Sequence, residues 1–254
     1  MIQVVIPAAG EGKRFREAGY DKIKPLIDVL GKPMITRVIE NVSPPGERAV
    51  TVISQLPLDE EIPANIFYLR KPTGGAAQTI LATEGTEVEI TKDPLVMANC
   101  DQLVGFPKGG SSVMAAKTAL NNLDGCITTF RSARQHHSYV KLSDQGIITD
   151  IAEKEVISNH AVTGVYFFRN GRDFVDACRH IVLHDIRVKG EYYVSSALKC
   201  MIENGRQLGV YDAPAAMLGT PDELDLYLMA HNRHMKTSSD IRRRRHVSSR
   251  ESCG

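Results

Sequence analysis

Gln3-Val4-Val5-Ile6-Pro7-Ala8-Ala9-Gly10-Glu11-Gly12-Lys13-Arg14-Phe15 decides how this chain is read. Residues 3–7 are mostly β-branched and apolar, the composition of a strand buried on both faces. The run breaks into two alanines and two spaced glycines, where the backbone can bend and come close to a ligand. Successive N–H groups there can cradle phosphate oxygens, which makes Ala8, Ala9, Gly10 and Gly12 nucleotide-contact candidates. Lys13 and Arg14 add two positive charges inside the loop, suited to a triphosphate. A dinucleotide-binding loop would need a third glycine opening a packed helix, and Phe15-Arg16 stands there instead.

Outward from this stretch, short apolar runs alternate with helical patterns, predicting an α/β fold. Further strands are expected at 49–53, 65–69, 94–98, 126–130, 139–142, 147–151 and 162–168. Helices are expected at 33–42, 76–84, 173–183, 193–203 and 221–232. Together they predict a Rossmann-like, three-layer domain with a mixed, mainly parallel central sheet over residues 1–235. Its nucleotide-binding part would end near residue 120, with the acceptor-binding part over about 121–235. From residue 236 the composition turns to serine and arginine through Arg242-Arg243-Arg244-Arg245, and 236–254 reads as a basic, disordered tail.

Composition narrows the class. With 43% hydrophobic and 24% charged residues over 254 positions, the chain has the make-up of an ordinary globular protein. A net charge of +1 gives no electrostatic case for nucleic acid or a membrane surface, and no apolar run is long enough to span a bilayer. Residues 1–9 lack the basic region and cleavage site of a signal peptide. Five dispersed cysteines without a CxxC pair suit reduced thiols, so a cytoplasmic protein is expected. The eight histidines show no metal-ligand spacing. A homo-oligomer is compatible with the sequence, which sets no subunit number.

More motifs follow in order. Lys24, in Lys22-Ile23-Lys24-Pro25-Leu26, can reach the same phosphates as a point charge. Gly31-Lys32-Pro33-Met34 comes next. Thr73-Gly74-Gly75-Ala76 puts small residues at a helix start, where a nucleobase could lie against the backbone. Val96-Met97-Ala98-Asn99-Cys100-Asp101 ends a buried strand in a carboxylate at the open edge of an α/β sheet, a usual place to meet a ligand.

The series resembles the sugar-phosphate nucleotidyltransferases, the group that includes glucose-1-phosphate thymidylyltransferase. Their opening pattern is a Gly-x-Gly-x-Arg loop, then Pro-Lys-Pro-Leu and Gly-Lys-Pro-Met. The resemblance continues through Asp101, Glu153-Lys154, Val162-Thr163-Gly164-Val165-Tyr166 and Gly219-Thr220-Pro221, covering residues 1 to about 230. It implies the nucleotide-diphospho-sugar transferase type of fold. It also implies a magnesium-dependent transfer of a nucleotidyl group from a nucleoside triphosphate to a sugar 1-phosphate. In this reading Arg14 and Lys24 steady the triphosphate, Asp101 holds Mg2+, and Gly75 and Arg70 contact the base. Glu153 accepts hydrogen bonds from sugar hydroxyls, Lys154 holds the acceptor phosphate, and Thr163 and Gly164 line the sugar pocket.

Two positions depart from the pattern. Ile23 replaces the proline before Lys24. Met217 occupies the place, two residues before Gly219, where many members carry a second metal-binding aspartate, and a thioether is a poor partner for hard magnesium. Either one carboxylate with phosphates and waters holds the ion, or Asp212 or Asp222 substitutes, or activity is lost. Rival functions are a cytidylyltransferase for a non-sugar acceptor such as phosphocholine and a nucleotide-sugar-binding relative without catalysis. A dinucleotide-dependent oxidoreductase is a distant third.

Overall fold

The computed structural model describes residues 1–58, 61–105 and 122–232. The proposed tail at 236–254 lies outside them. Seven strands form one continuous path in the order β10 (Leu208–Asp212), β6 (Gly125–Arg131), β9 (His160–Phe168), β4 (Leu95–Ala98), β1 (Ile2–Pro7), β2 (Arg48–Ser54) and β3 (Asn65–Tyr68). Every neighbouring pair on this path is parallel except those of β9, which runs antiparallel to both β4 and β6. The central sheet is therefore mixed and mainly parallel. A hairpin of β7 (Ser138–Leu142) and β8 (Ile148–Glu153) attaches to β9 at Tyr139 and Ala161.

Two apolar clusters cover the two faces, giving three layers. On one face lies α2 (Met34–Val42), whose Met34, Ile35, Val38, Ile39 and Val42 recur at helical spacing and are all buried. On the other lie α3 (Ala76–Leu81), α4 (Gly171–Leu183) and α5 (Val194–Glu203). Asn170 caps α4 by accepting a 3.0 Å hydrogen bond from the Arg172 N–H. Residues 221–232 form a further helix, α6.

The open edge of the sheet is built by connections, as expected of a parallel arrangement. After β1 comes the glycine loop and a five-residue helix, α1 (Lys13–Glu17), pinned by the fully buried Phe15. A 3-10 turn (Lys24–Leu26) follows. Beyond β4 the chain turns at Asp101 into β5 (Gln102–Val104), which pairs antiparallel with β11 (Ala215–Met217). Leu218 N–H donates to the Asp101 carbonyl at 2.8 Å, so the Gly219 turn is tied to the tip of β4.

Candidate active site

Two hollows, of about 310 and 570 Å³, meet at this edge. The larger is walled by Ala9, Gly10, Gly74 and Gly75, the smaller by Arg14, Glu153, Gly164 and Tyr193. Lys24, Asn99, Asp101 and Glu191 line both. Gly12 and Lys13 line an adjoining recess shared with Arg14, Lys24 and Gly219. Ala8 is buried at the strand end, its N–H donating to the Ile53 carbonyl at 2.7 Å.

Lys24 and Asp101 pair at the junction, each side chain more than four-fifths buried. Burial alone would pull the Lys24 amine down, but Asp101 and the hydrogen bond to it hold it above the ordinary lysine value. Lys24 is thus a fixed cation across the physiological range. Gly12 permits the close approach: its φ is +62°, and a Cβ there would sit 3.0 Å from Lys24 Cβ. Ile23 adopts φ −61° and ψ 148°, the conformation that the missing proline would have fixed. Cys100, beside the pair, has its thiol pushed up to about 11 by burial, which rules it out as a nucleophilic thiolate near neutral pH.

In the smaller hollow, Glu153 Oε2 accepts from the Ser138 hydroxyl and, at 2.7 Å, from the Ser195 hydroxyl. These serines lie on β7 and in the first turn of α5, so the carboxylate is held from two elements. The sequence reading missed both; Ser195 stood in an expected helix start with nothing to mark its partner. Adjacent candidates part company here because neighbouring strand residues face opposite sides. Gly164 faces the hollow, with φ +89°. Thr163 is fully buried, donating to the Thr128 carbonyl at 3.1 Å. Lys154 turns away at φ +57°, its amine bonded to the Tyr193 hydroxyl and 4.3 Å from that ring's centroid. Arg70 is exposed in a separate hollow that shares Pro72 and Thr73 with the larger one.

The 74–77 loop is clasped from outside. Tyr192 N–H donates to the Gly74 carbonyl at 2.8 Å, and Ala77 N–H to the Tyr192 carbonyl at 3.1 Å. Gly75 bridges the two with φ +140°.

His137 borders the smaller hollow, 6% exposed, with its ring 5.1 Å from Phe130. Burial, then the charges of His136 and Arg134, pull its imidazole from 6.5 down to about 4. The native state therefore takes up this proton only near pH 4, whereas the unfolded chain does so from pH 6.5. Stability should fall as pH drops through that window. In urea titrations between pH 7 and 4, His137→Gln is expected to lose this part of the pH dependence; an unchanged slope would show that other groups cause it.

A family model described as nucleotidyl transferase matches residues 3–213. The UTP–glucose-1-phosphate uridylyltransferase AglF of Haloferax volcanii is 26% identical over 241 residues, 88% of this chain and 94% of that protein. The bifunctional protein GlmU of Bacillus cereus (strain AH187) is 28% identical over 220 residues, 82% of this chain; the match spans only 46% of GlmU. Among solved structures, a UDP-glucose pyrophosphorylase complexed with UDP-glucose has a TM-score of 0.71 at 16% identity, covering 93% of this chain and all of that one. An inositol-1-phosphate CTP transferase from T. maritima has a TM-score of 0.65 at 13% identity, covering 87% and 90%. At such identities the solved structures share the fold.

Proposed function

Because this chain belongs to the nucleotidyl transferase family and is a nucleotidyltransferase, we propose that it joins a nucleoside triphosphate to a sugar 1-phosphate, giving an activated sugar and pyrophosphate. The observation that carries the reading is the meeting of two hollows at Lys24 and Asp101, one walled by the glycine loop and the other by Glu153. The triphosphate lies along Ala9, Gly10 and Gly12, with Arg14 and Lys24 against its negative charge. The base rests on Gly74 and Gly75. The acceptor lies in the smaller hollow, its hydroxyls donating to Glu153.

The attacking group is the acceptor's own phosphate oxygen, already anionic, so the protein supplies position and charge rather than a nucleophile. It displaces pyrophosphate from the α-phosphorus, and Lys24 stays beside the oxygens on which charge collects. The residues fit Mg2+, since Asp101 offers a hard carboxylate oxygen at the junction. Among the described residues there is no cluster of three or more metal-ligating His, Cys, Asp or Glu side chains, and Asp101 would hold the ion. The ion, when bound, offsets the repulsion between the two anionic substrates. No helix among the described residues is long and apolar enough to cross a membrane. We place the reaction in the cytoplasm.

The test is a matrix of nucleoside triphosphates against sugar 1-phosphates with Mg2+, read as pyrophosphate, with phosphocholine and inositol 1-phosphate as non-sugar acceptors. One sugar pairing should dominate. Release with a non-sugar acceptor alone would overturn the acceptor class, and binding of triphosphate without release under any pairing would overturn the activity.

A further inference from the structure

We propose that Glu223 is the second carboxylate of the divalent-cation site, replacing the ligand that Met217 cannot supply. The inference rests on the reading of the junction given above. Met217 lines the smaller hollow, but its thioether is a poor donor to a hard cation. Neither aspartate near it takes over. Asp212, on the outermost strand β10, is engaged by Thr129, by Arg131 at 3.2 Å and by His160 at 3.4 Å. Asp222 is exposed and faces away from the hollow.

Glu223, one residue further along α6, turns inward. Its side chain is 14% exposed and lines the same hollow as Asp101. The two carboxylates converge on the space above Gly219. A Cβ there would stand 2.9 Å from Asp101 Oδ2 and 3.3 Å from Glu223 Oε2. Glycine keeps open a gap flanked by two carboxylate oxygens, with Lys24 paired to Asp101 and the half-exposed His136 ring 3.4 Å from Glu223. A separate observation bears on the same hollow, on its Gly164 side. Gln102 borders this hollow at 6% exposure, and its Oε1 has no hydrogen-bond partner among the described residues. A buried amide oxygen left unbonded is costly, and it is a hard neutral donor of the kind a hydrated divalent cation takes.

Glu223 also has a local role that must be separated from this one. Its N–H donates to Thr220 Oγ1 at 3.3 Å while its own Oε2 accepts from Gly219 N–H at 3.1 Å, so it helps to cap α6. Glutamine can still accept from Gly219 N–H, but it removes the negative charge.

Mn2+ alone, titrated into the full chain and followed by electron paramagnetic resonance, distinguishes the two roles. Glu223→Gln and Asp101→Asn should each weaken Mn2+ binding roughly tenfold or more. Asp222→Asn should bind as wild type, and the Glu223→Gln melting temperature should be unchanged. Equal binding by wild type and Glu223→Gln, or none by wild type, overturns the proposal. If Glu223→Gln also melts early, Glu223→Asp decides: binding that returns with the carboxylate supports a ligand, and none returning overturns it in favour of the cap. Pyrophosphate release by wild type alongside unchanged Mn2+ binding in Glu223→Gln sinks this inference alone. Glu223-dependent Mn2+ binding with no pyrophosphate under any pairing sinks the reading of the activity alone.

Discussion

Asp101→Asn and Lys24→Ala should each cut turnover by about a hundredfold to a thousandfold, the scale of losing one charged group aimed at a reacting phosphate. Asp101→Asn keeps the shape and a hydrogen-bond acceptor for Lys24 but removes its counter-charge, so some stability should be lost. Lys24→Ala leaves the Asp101 carboxylate, 17% exposed, without its cation. Burying an unpaired charge costs stability as well as activity. The informative comparison is therefore kcat in Asp101→Asn with the fold checked by circular dichroism. Both variants working near the wild-type rate would remove the junction from the mechanism.

Gly75→Ala should cost about 3 kcal/mol, the range for a strained backbone combined with a clash that cannot relax. The added Cβ would lie 2.6 Å from the Tyr192 carbonyl oxygen and 2.7 Å from its nitrogen, at a φ of +140°. The obstacle is main chain, itself hydrogen-bonded to Gly74 and Ala77. For a domain of this size the expected drop in Tm is roughly 6–12 °C. Gly10→Ala provides the contrast, because a Cβ there meets nothing within 4 Å. A Gly75→Ala protein melting with wild type would show that the 74–77 loop moves freely from Tyr192.

Long, strongly periodic segments were legible in the sequence. The first strand was expected at 3–7 and spans 2–7, the helix expected at 33–42 spans 34–42, and that at 173–183 spans 171–183. Elements with little of their own to bury were not. Helix α1 has Phe15 as its single buried residue, and β5 and β11 are three residues each, held by pairing with one another across more than a hundred positions. Gly209 weakens the strand pattern of β10, which lies in place through β6. The site follows the same division. Asp101 stood out because it ends an apolar strand, and Lys24 because of the prolines and glycines around it. Whether Thr163 or Gly164 faces the hollow depends on register, and the inward turn of Glu223 on where α6 begins; neither is fixed by local spacing. Ser138 and Ser195 are 57 positions apart in sequence and acquire a meaning only when both reach Glu153.

Under the proposed function, the clasp of Tyr192 on the 74–77 loop constrains how selectivity can be altered. Tyr192 grips 74–77 through its peptide group, Tyr193 carries Lys154, and Ser195 carries Glu153, all within four consecutive residues. One short span thus holds both the 74–77 loop and Glu153, and under the proposed function base preference and acceptor preference would travel together. A chimera that imports the 73–78 loop from a relative without its own 191–195 stretch would change the base at the expense of the acceptor, and swaps should be made in pairs.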